Sequence, residues 1–186
     1  MSAFDQLVLT TPRLRLRPLG EADAQALFDM LSDPAVTRYW STPPWTDMAP
    51  AHALIERDRQ AMASGDYLRL GLERLDDAAL LGNCTLFAIN AQCRRAEVGY
   101  VLGAAHWGRG FMHEALRALL EHGFAAMDLN RIEADIDPRN EASARSLRRL
   151  GFAQEGYLRE RWIVGGEVSD TALYGLLRQD WRAPLA

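Results

Sequence analysis

The stretch from Glu97 to Phe152 narrows the possible folds of this chain more than any other. It opens with Glu97-Val98-Gly99-Tyr100-Val101-Leu102 and continues into a loop with Trp107-Gly108-Arg109-Gly110. Met112, Ala115, Leu116, Leu119, Leu120, Phe124 and Met127 then recur at helical spacing, with His113, Arg117 and Glu121 mostly on the other side. Arg131 to Ile136 alternates as a strand, Asp137-Pro138-Arg139-Asn140-Glu141-Ala142-Ser143 follows, and a short helix Glu141 to Leu150 ends at Gly151-Phe152. Asn140 is its N-cap and Gly151 its C′ residue. The order strand, glycine loop, helix, strand, helix sets unpaired amides at a helix start beside a strand end, an arrangement suited to an anion.

The flanks supply the rest of one mixed sheet with helices on both faces. Leu7 to Arg17 reads as a half-buried strand with Arg13, Arg15 and Arg17 on its polar side. Glu21 to Leu31 places Ala24, Leu27, Phe28 and Leu31 on one helical face, and Asp33-Pro34 is expected to stop that helix. An aromatic, proline-rich loop, Tyr39 to Trp45, precedes a helix from Pro50 to Ser64 that ends at Gly65. Tyr67 to Arg74 and Leu80 to Ile89 form antiparallel strands around Asp76-Asp77, and Leu158 to Val164, Gly165-Gly166 and Val168 to Leu177 form a terminal hairpin.

Composition excludes several chemistries. With 186 residues, the chain suffices for one domain, taken as 1–186. A net charge of −4 argues against direct nucleic-acid binding, and no apolar run is long enough for a membrane span. All 21 basic residues are Arg, so no Schiff-base lysine exists. Met1-Ser2-Ala3-Phe4-Asp5 lacks the features of a secretion signal, and two cysteines without a CxxC suggest reduced thiols in the cytoplasm, with no metal site.

Three phosphate-binding patterns compete for the glycine loop. A P-loop requires a lysine, which the chain lacks. The dinucleotide fingerprint GxGxxG fails at its third glycine, where His113 stands. A loop of the form R/Q-x-x-G-x-G/A fits at its centre, Gly108-Arg109-Gly110, but not at its first and last positions. Missing Cβ atoms at Gly108 and Gly110 would let amides near Arg109 to His113 approach a pyrophosphate; taken alone, the two glycines suit a plain tight turn better.

Several motifs occur together and in order: Thr11-Pro12-Arg13-Leu14-Arg15-Leu16-Arg17-Pro18, Ser32-Asp33-Pro34, Glu97 to Leu102, His106 to Leu116, Asp137 to Ser143, Leu150-Gly151-Phe152, Leu158-Arg159-Glu160 and Gly165-Gly166. On these the chain resembles the GNAT N-acetyltransferase superfamily, and within it the ribosomal-protein alanine N-acetyltransferases. The resemblance implies an α+β fold, a mostly antiparallel sheet with a splayed parallel central strand pair. It also implies acetyl-CoA as cosubstrate and transfer to a primary amine, a ribosomal or other protein N-terminus or else a small molecule. A non-catalytic acetyl-CoA sensor is the alternative outside the enzyme class.

By the same resemblance, Trp107, Gly108, Arg109, Gly110, Phe111, Met112 and His113 hold the pyrophosphate. The backbone of Val101 and Leu102 pairs with the pantetheine arm, and Asn140 hydrogen-bonds that arm or simply caps its helix. Trp107 replaces the usual Gln or Arg, which leaves it a backbone role and no side-chain role. His113 is either a phosphate donor or an exposed helix residue. Leu147 stands where many members have the tyrosine that protonates the leaving thiolate, so Ser143 is the substitute hydrogen-bond donor or an ordinary first-turn serine. Glu97 is the candidate general base, or a solvated strand residue paired with Arg94 or Arg95. Tyr39, Trp40 and Trp162 would line an acceptor pocket with apolar walls, or pack, or serve a homodimer contact.

Overall fold

The structure, a computed structural model, describes residues 4–181. Its elements in chain order are β1 (Leu9–Thr10), β2 (Leu14–Arg17), α1 (Ala24–Leu31), α2 (Pro34–Thr37), α3 (Ala49–Ser64), β3 (Leu68–Arg74), β4 (Leu80–Asn90) and β5 (Arg95–Leu102). There follow α4 (Phe111–Ala125), β6 (Arg131–Ile136), α5 (Glu141–Arg149), β7 (Ala153–Val164) and β8 (Glu167–Leu177). The strands form one sheet in the order β1-β2-β3-β4-β5-β6-β8-β7, antiparallel at every pairing except β5 with β6.

Alternation along the strands sorts the two faces of the sheet. Leu70, Leu72, Leu86, Val98 and Ile132 are buried against Leu116, Leu119 and Leu120 of α4 and Leu147 of α5. On the opposite side Ala24 and Leu27 of α1 pack with Ala51 and Ile55 of α3 over Leu19 and Leu80. Apolar burial of this kind contributes about 25 cal/mol per Å². The helical face read from Met112 to Phe124 is the face that disappears into the core. Arg17, on the polar side of β2, instead pairs with Asp23 and Glu73.

Three local readings differ from the structure. Leu7 to Arg17 is two short strands, because Thr11 turns the chain: its amide donates to the Leu14 carbonyl and its hydroxyl accepts from the Leu14 amide. Asp33-Pro34 opens a helix as well as following one. The Asp33 carboxylate caps the Ala35 amide at 2.8 Å and Pro34 takes the first helical position, where its missing N–H costs nothing. The terminal hairpin starts at Ala153, five residues before Leu158, and its β7 strand bulges between Leu158 and Trp162.

Candidate active site

The loop that enters α4 offers a row of unused donors. The Trp107 amide donates to the Ala104 carbonyl at 3.2 Å, and the Glu114 amide donates to the Gly110 carbonyl at 3.1 Å. Between them, the amides of residues 108–113 have no acceptor among the described residues. Gly108 and Gly110 take left-handed backbone angles, φ +73° and +78°, and no side chain caps the helix. Alternation of left- and right-handed residues gathers successive N–H groups into an anion-binding concavity. A Cβ on Gly108 would meet nothing within 4 Å, so the surface above it is open. Phe111 and Met112 bury their side chains in the core, which leaves their amides as what they present to a ligand.

Beside this loop the sheet splits. The parallel pairing of β5 with β6 runs from Arg95 opposite Arg131 to Glu97 opposite Glu133 and stops there. Both strands continue, β5 held by β4 and β6 held by β8. The Gly103 amide donates to Leu81 on the β4 side at 2.9 Å, so the ladder's alternation turns the amides of Tyr100 and Leu102 toward the gap. Trp107 closes one end. Its indole Nε1 donates to the Leu102 carbonyl at 2.7 Å, a side-chain role the sequence reading denied it, and the bond occupies one of the backbone groups expected to meet the pantetheine arm.

Two hydroxyls meet across the gap. The Tyr100 hydroxyl lies 2.6 Å from Ser143 Oγ, in the first turn of α5. Burial pushes the Tyr100 phenol up to about 12, so it stays protonated through the neutral range. The Ser143 amide donates to Asn140 Oδ1 at 3.1 Å; Asn140 therefore caps α5 and keeps only its side-chain NH2 for a ligand. Tyr100 was overlooked in sequence because its partner lies 43 positions away.

Glu97 lies on the opposite face of β5, in line with Gly99 and Val101. The pairings expected for it do not form. Arg94 bonds Asp128, and Arg95 bonds Glu133 at 2.8 Å. The Glu97 carboxylate has no hydrogen-bond or ion-pair partner among the described residues, while its backbone stays in the ladder. Its carboxyl is raised above the ordinary carboxylate value by burial first, then by Glu133 and Asp135, against the opposing pull of Arg95 and Arg161. Arg161 acts on Glu97 through its charge alone, from the β7 bulge, where Glu160 has φ +53° and its amide donates to Asp170 at 2.7 Å. That bulge was invisible in the sequence.

The remaining candidates are scattered. Trp40 packs beside Val101 with Met30 and Leu31, on the Glu97 face. Tyr39 stacks near Arg139, 5.8 Å from the guanidinium, at the end of β6. Trp162 sits on the terminal hairpin opposite Ser169, with the Arg161 guanidinium 5.6 Å from its ring centroid. His113 is half-buried, not exposed, with a buried Nδ1 lacking a partner among the described residues. Burial, then Arg117 and Arg149, lower its pKa, so it brings no positive charge to an anion at neutral pH. Among the described residues no group of His, Cys, Asp and Glu could hold a metal, and no helix is long and apolar enough to cross a membrane.

A loop of open amides at a helix start, next to a parallel strand pair that parts midway, makes an anion-binding mouth at the edge of a cleft, the class of site that holds a phosphate-bearing cofactor. Residues 13–153 match the family described as "Acetyltransferase (GNAT) domain". The chain belongs to that family and is an N-acetyltransferase by class. It is 36% identical to "Uncharacterized N-acetyltransferase p20" of Bacillus licheniformis over 93% of this chain and 97% of that one. It is 28% identical to the "[Ribosomal protein uS5]-alanine N-acetyltransferase" of Escherichia coli (strain K12), covering 93% of this chain and 92% of the other. Spermidine N-acetyltransferase from Vibrio cholerae, solved with CoA and spermine, shares the fold at a TM-score of 0.80 and 22% identity, covering 91% of this chain and 98% of that one.

Proposed function

We propose that the protein moves the acetyl group of acetyl-CoA to the α-amine of a protein or peptide N-terminus, by direct attack within a ternary complex. The observation that carries this is the row of acceptor-less amides at residues 108–113, set at the mouth of the gap between β5 and β6. These amides would hold the diphosphate; helix-terminal electrostatics contribute roughly 0.3–1 kcal/mol per anionic group. The gap, with the Asn140 amide group at its rim, would hold the pantetheine arm and bring the thioester between the strands.

Each remaining residue has a defined task. Glu97 takes the proton from the incoming ammonium, directly or through water, and its raised pKa brings it closer to that of the amine it serves. Unpaired amides on β5 face the place where negative charge develops on the acyl oxygen. As the C–S bond breaks, Ser143 Oγ donates a hydrogen bond to the departing sulfur, and Tyr100 donates in turn to Ser143.

The demand on a single base favours the α-amine over a polyamine. Three carboxylates, Glu97, Glu133 and Asp135, share one face. Glu133 is already neutralised by Arg95 and Arg131, and Asp135 accepts from Thr171. Asp135 keeps its charge in that bond and acts on Glu97, so the face carries two carboxylates without a cationic partner and the charge count does not by itself choose the acceptor. An α-amine, with a pKa of about 7.7–8.0 against about 10.4 for a lysine-type amine, demands less of a single base. The relative that acts on spermidine makes the small-molecule acceptor the second reading.

The test is a thiol-release assay with acetyl-CoA across peptides with free N-termini, the same peptides N-acetylated, and polyamines. Turnover with free N-termini that vanishes on blocking them is expected. Faster turnover with spermidine would move the acceptor to the second reading, and CoA binding without any thiol release would make the protein a sensor.

A further inference from the structure

Arg13, in the turn between β1 and β2, is far in sequence from the glycine loop yet is bonded to it. Its amide and its Nε donate to the two oxygens of the Glu114 carboxylate, at 2.9 and 2.6 Å. Its Nη1 donates to the Arg109 carbonyl at 3.0 Å. Its guanidinium lies over the Phe111 ring, 4.4 Å from the centroid, and its Nη2 approaches the space beside Gly110. The Thr11 hydroxyl reaches the same Glu114 carboxylate at 2.6 Å.

This fork acts on a peptide unit whose rotation would spoil the site. Gly108 and Gly110 leave the intervening backbone free to rotate, since neither has a Cβ to resist it. If the peptide between Arg109 and Gly110 turned over, a carbonyl oxygen would face the anion. In a trans peptide the C=O and N–H point in opposite directions. Holding the Arg109 carbonyl on the Arg13 side therefore keeps the Gly110 amide on the other, among the donors without acceptors. The same guanidinium neutralises Glu114, whose charge in the first turn of α4 would otherwise oppose a bound diphosphate.

We propose that Arg13 is a positioning residue for the diphosphate, locking the loop with its amides turned outward while cancelling the nearest negative charge. This rests on the loop's being the diphosphate site. The full chain is titrated calorimetrically with CoA and with 3′-phospho-ADP, which keeps the diphosphate and lacks the arm. Pantetheine, which keeps the arm and lacks the diphosphate, is followed by saturation-transfer NMR. Arg13→Ala is expected to weaken CoA and 3′-phospho-ADP by the same factor, about ten- to hundredfold, and to leave pantetheine unchanged. Arg13→Lys keeps the charge but cannot span both acceptors, and is expected to fall about three- to tenfold for the two nucleotides. An Arg13→Ala protein that binds CoA like the parent, or that loses pantetheine equally, overturns the proposal. Should Arg13→Ala fail to fold, parental CoA affinity in Arg13→Lys overturns it. A parent chain that binds neither nucleotide removes the diphosphate site itself, which is a separate failure from an unaffected Arg13 variant.

Discussion

Tyr100→Phe and Ser143→Ala, alone and together, probe the hydroxyl pair most directly. The two oxygens are 2.6 Å apart, and Ser143 is only 9% exposed. Either single change leaves the other hydroxyl buried without its partner, which costs about 1–3 kcal/mol. The double change removes both polar groups, so its cost should fall short of the sum, with a coupling energy of about 1–2 kcal/mol. For a chain of this size each single change should lower Tm by about 2–10 °C. Urea unfolding of the four proteins without ligand gives the cycle. The role at the sulfur adds a kinetic expectation: Tyr100→Phe lowers kcat and kcat/KM together, because the bond to the leaving group strengthens only in the transition state. Additivity of the two stability losses to within about 0.3–0.5 kcal/mol would refute the shared bond. A raised KM with unchanged kcat would refute the role at the thiolate.

Four further outcomes are expected. Glu97→Gln should reduce kcat/KM by about 10²–10⁴, and the parent's acid limb should fall above the ordinary carboxylate range; a pH–rate profile unchanged by the substitution would remove Glu97 from the chemistry. Because the folded state binds the Glu97 proton more tightly than the unfolded chain, its carboxylate costs stability as pH rises from the unfolded pKa through the raised folded one. Glu97→Gln should therefore raise Tm at pH 7 and leave it unchanged well below pH 4, which thermal scans at both pH values can check. Gly110→Val places a β-branched residue at φ +78°, so it should cost roughly 1–2 kcal/mol or more and abolish CoA binding; calorimetric binding at parental affinity would contradict the loop assignment. Trp107→Phe frees the Leu102 carbonyl and should cost about 0.5–1.5 kcal/mol in urea unfolding, a loss that its exposed position would not otherwise explain.

Periodicity alone determined the α4 face, the strands around Asp76-Asp77 and the strand–loop–helix order, because local burial patterns at a spacing of 3.6 or 2 are written residue by residue. Gly108 and Gly110 were legible for the same reason: only local backbone freedom was needed to mark the turn. The tertiary structure decided everything that depends on which distant residues become neighbours. It ended the parallel pairing at Glu97, left that carboxylate without the arginines adjacent to it in sequence, and set Tyr100 against Ser143. It also carried Arg13 to Glu114 and Arg161 toward Glu97 through a bulge that no composition marks. Hydrogen bonds and charge pairs act over a few ångströms of space, and spacing along the chain says nothing of that distance until the sheet has closed.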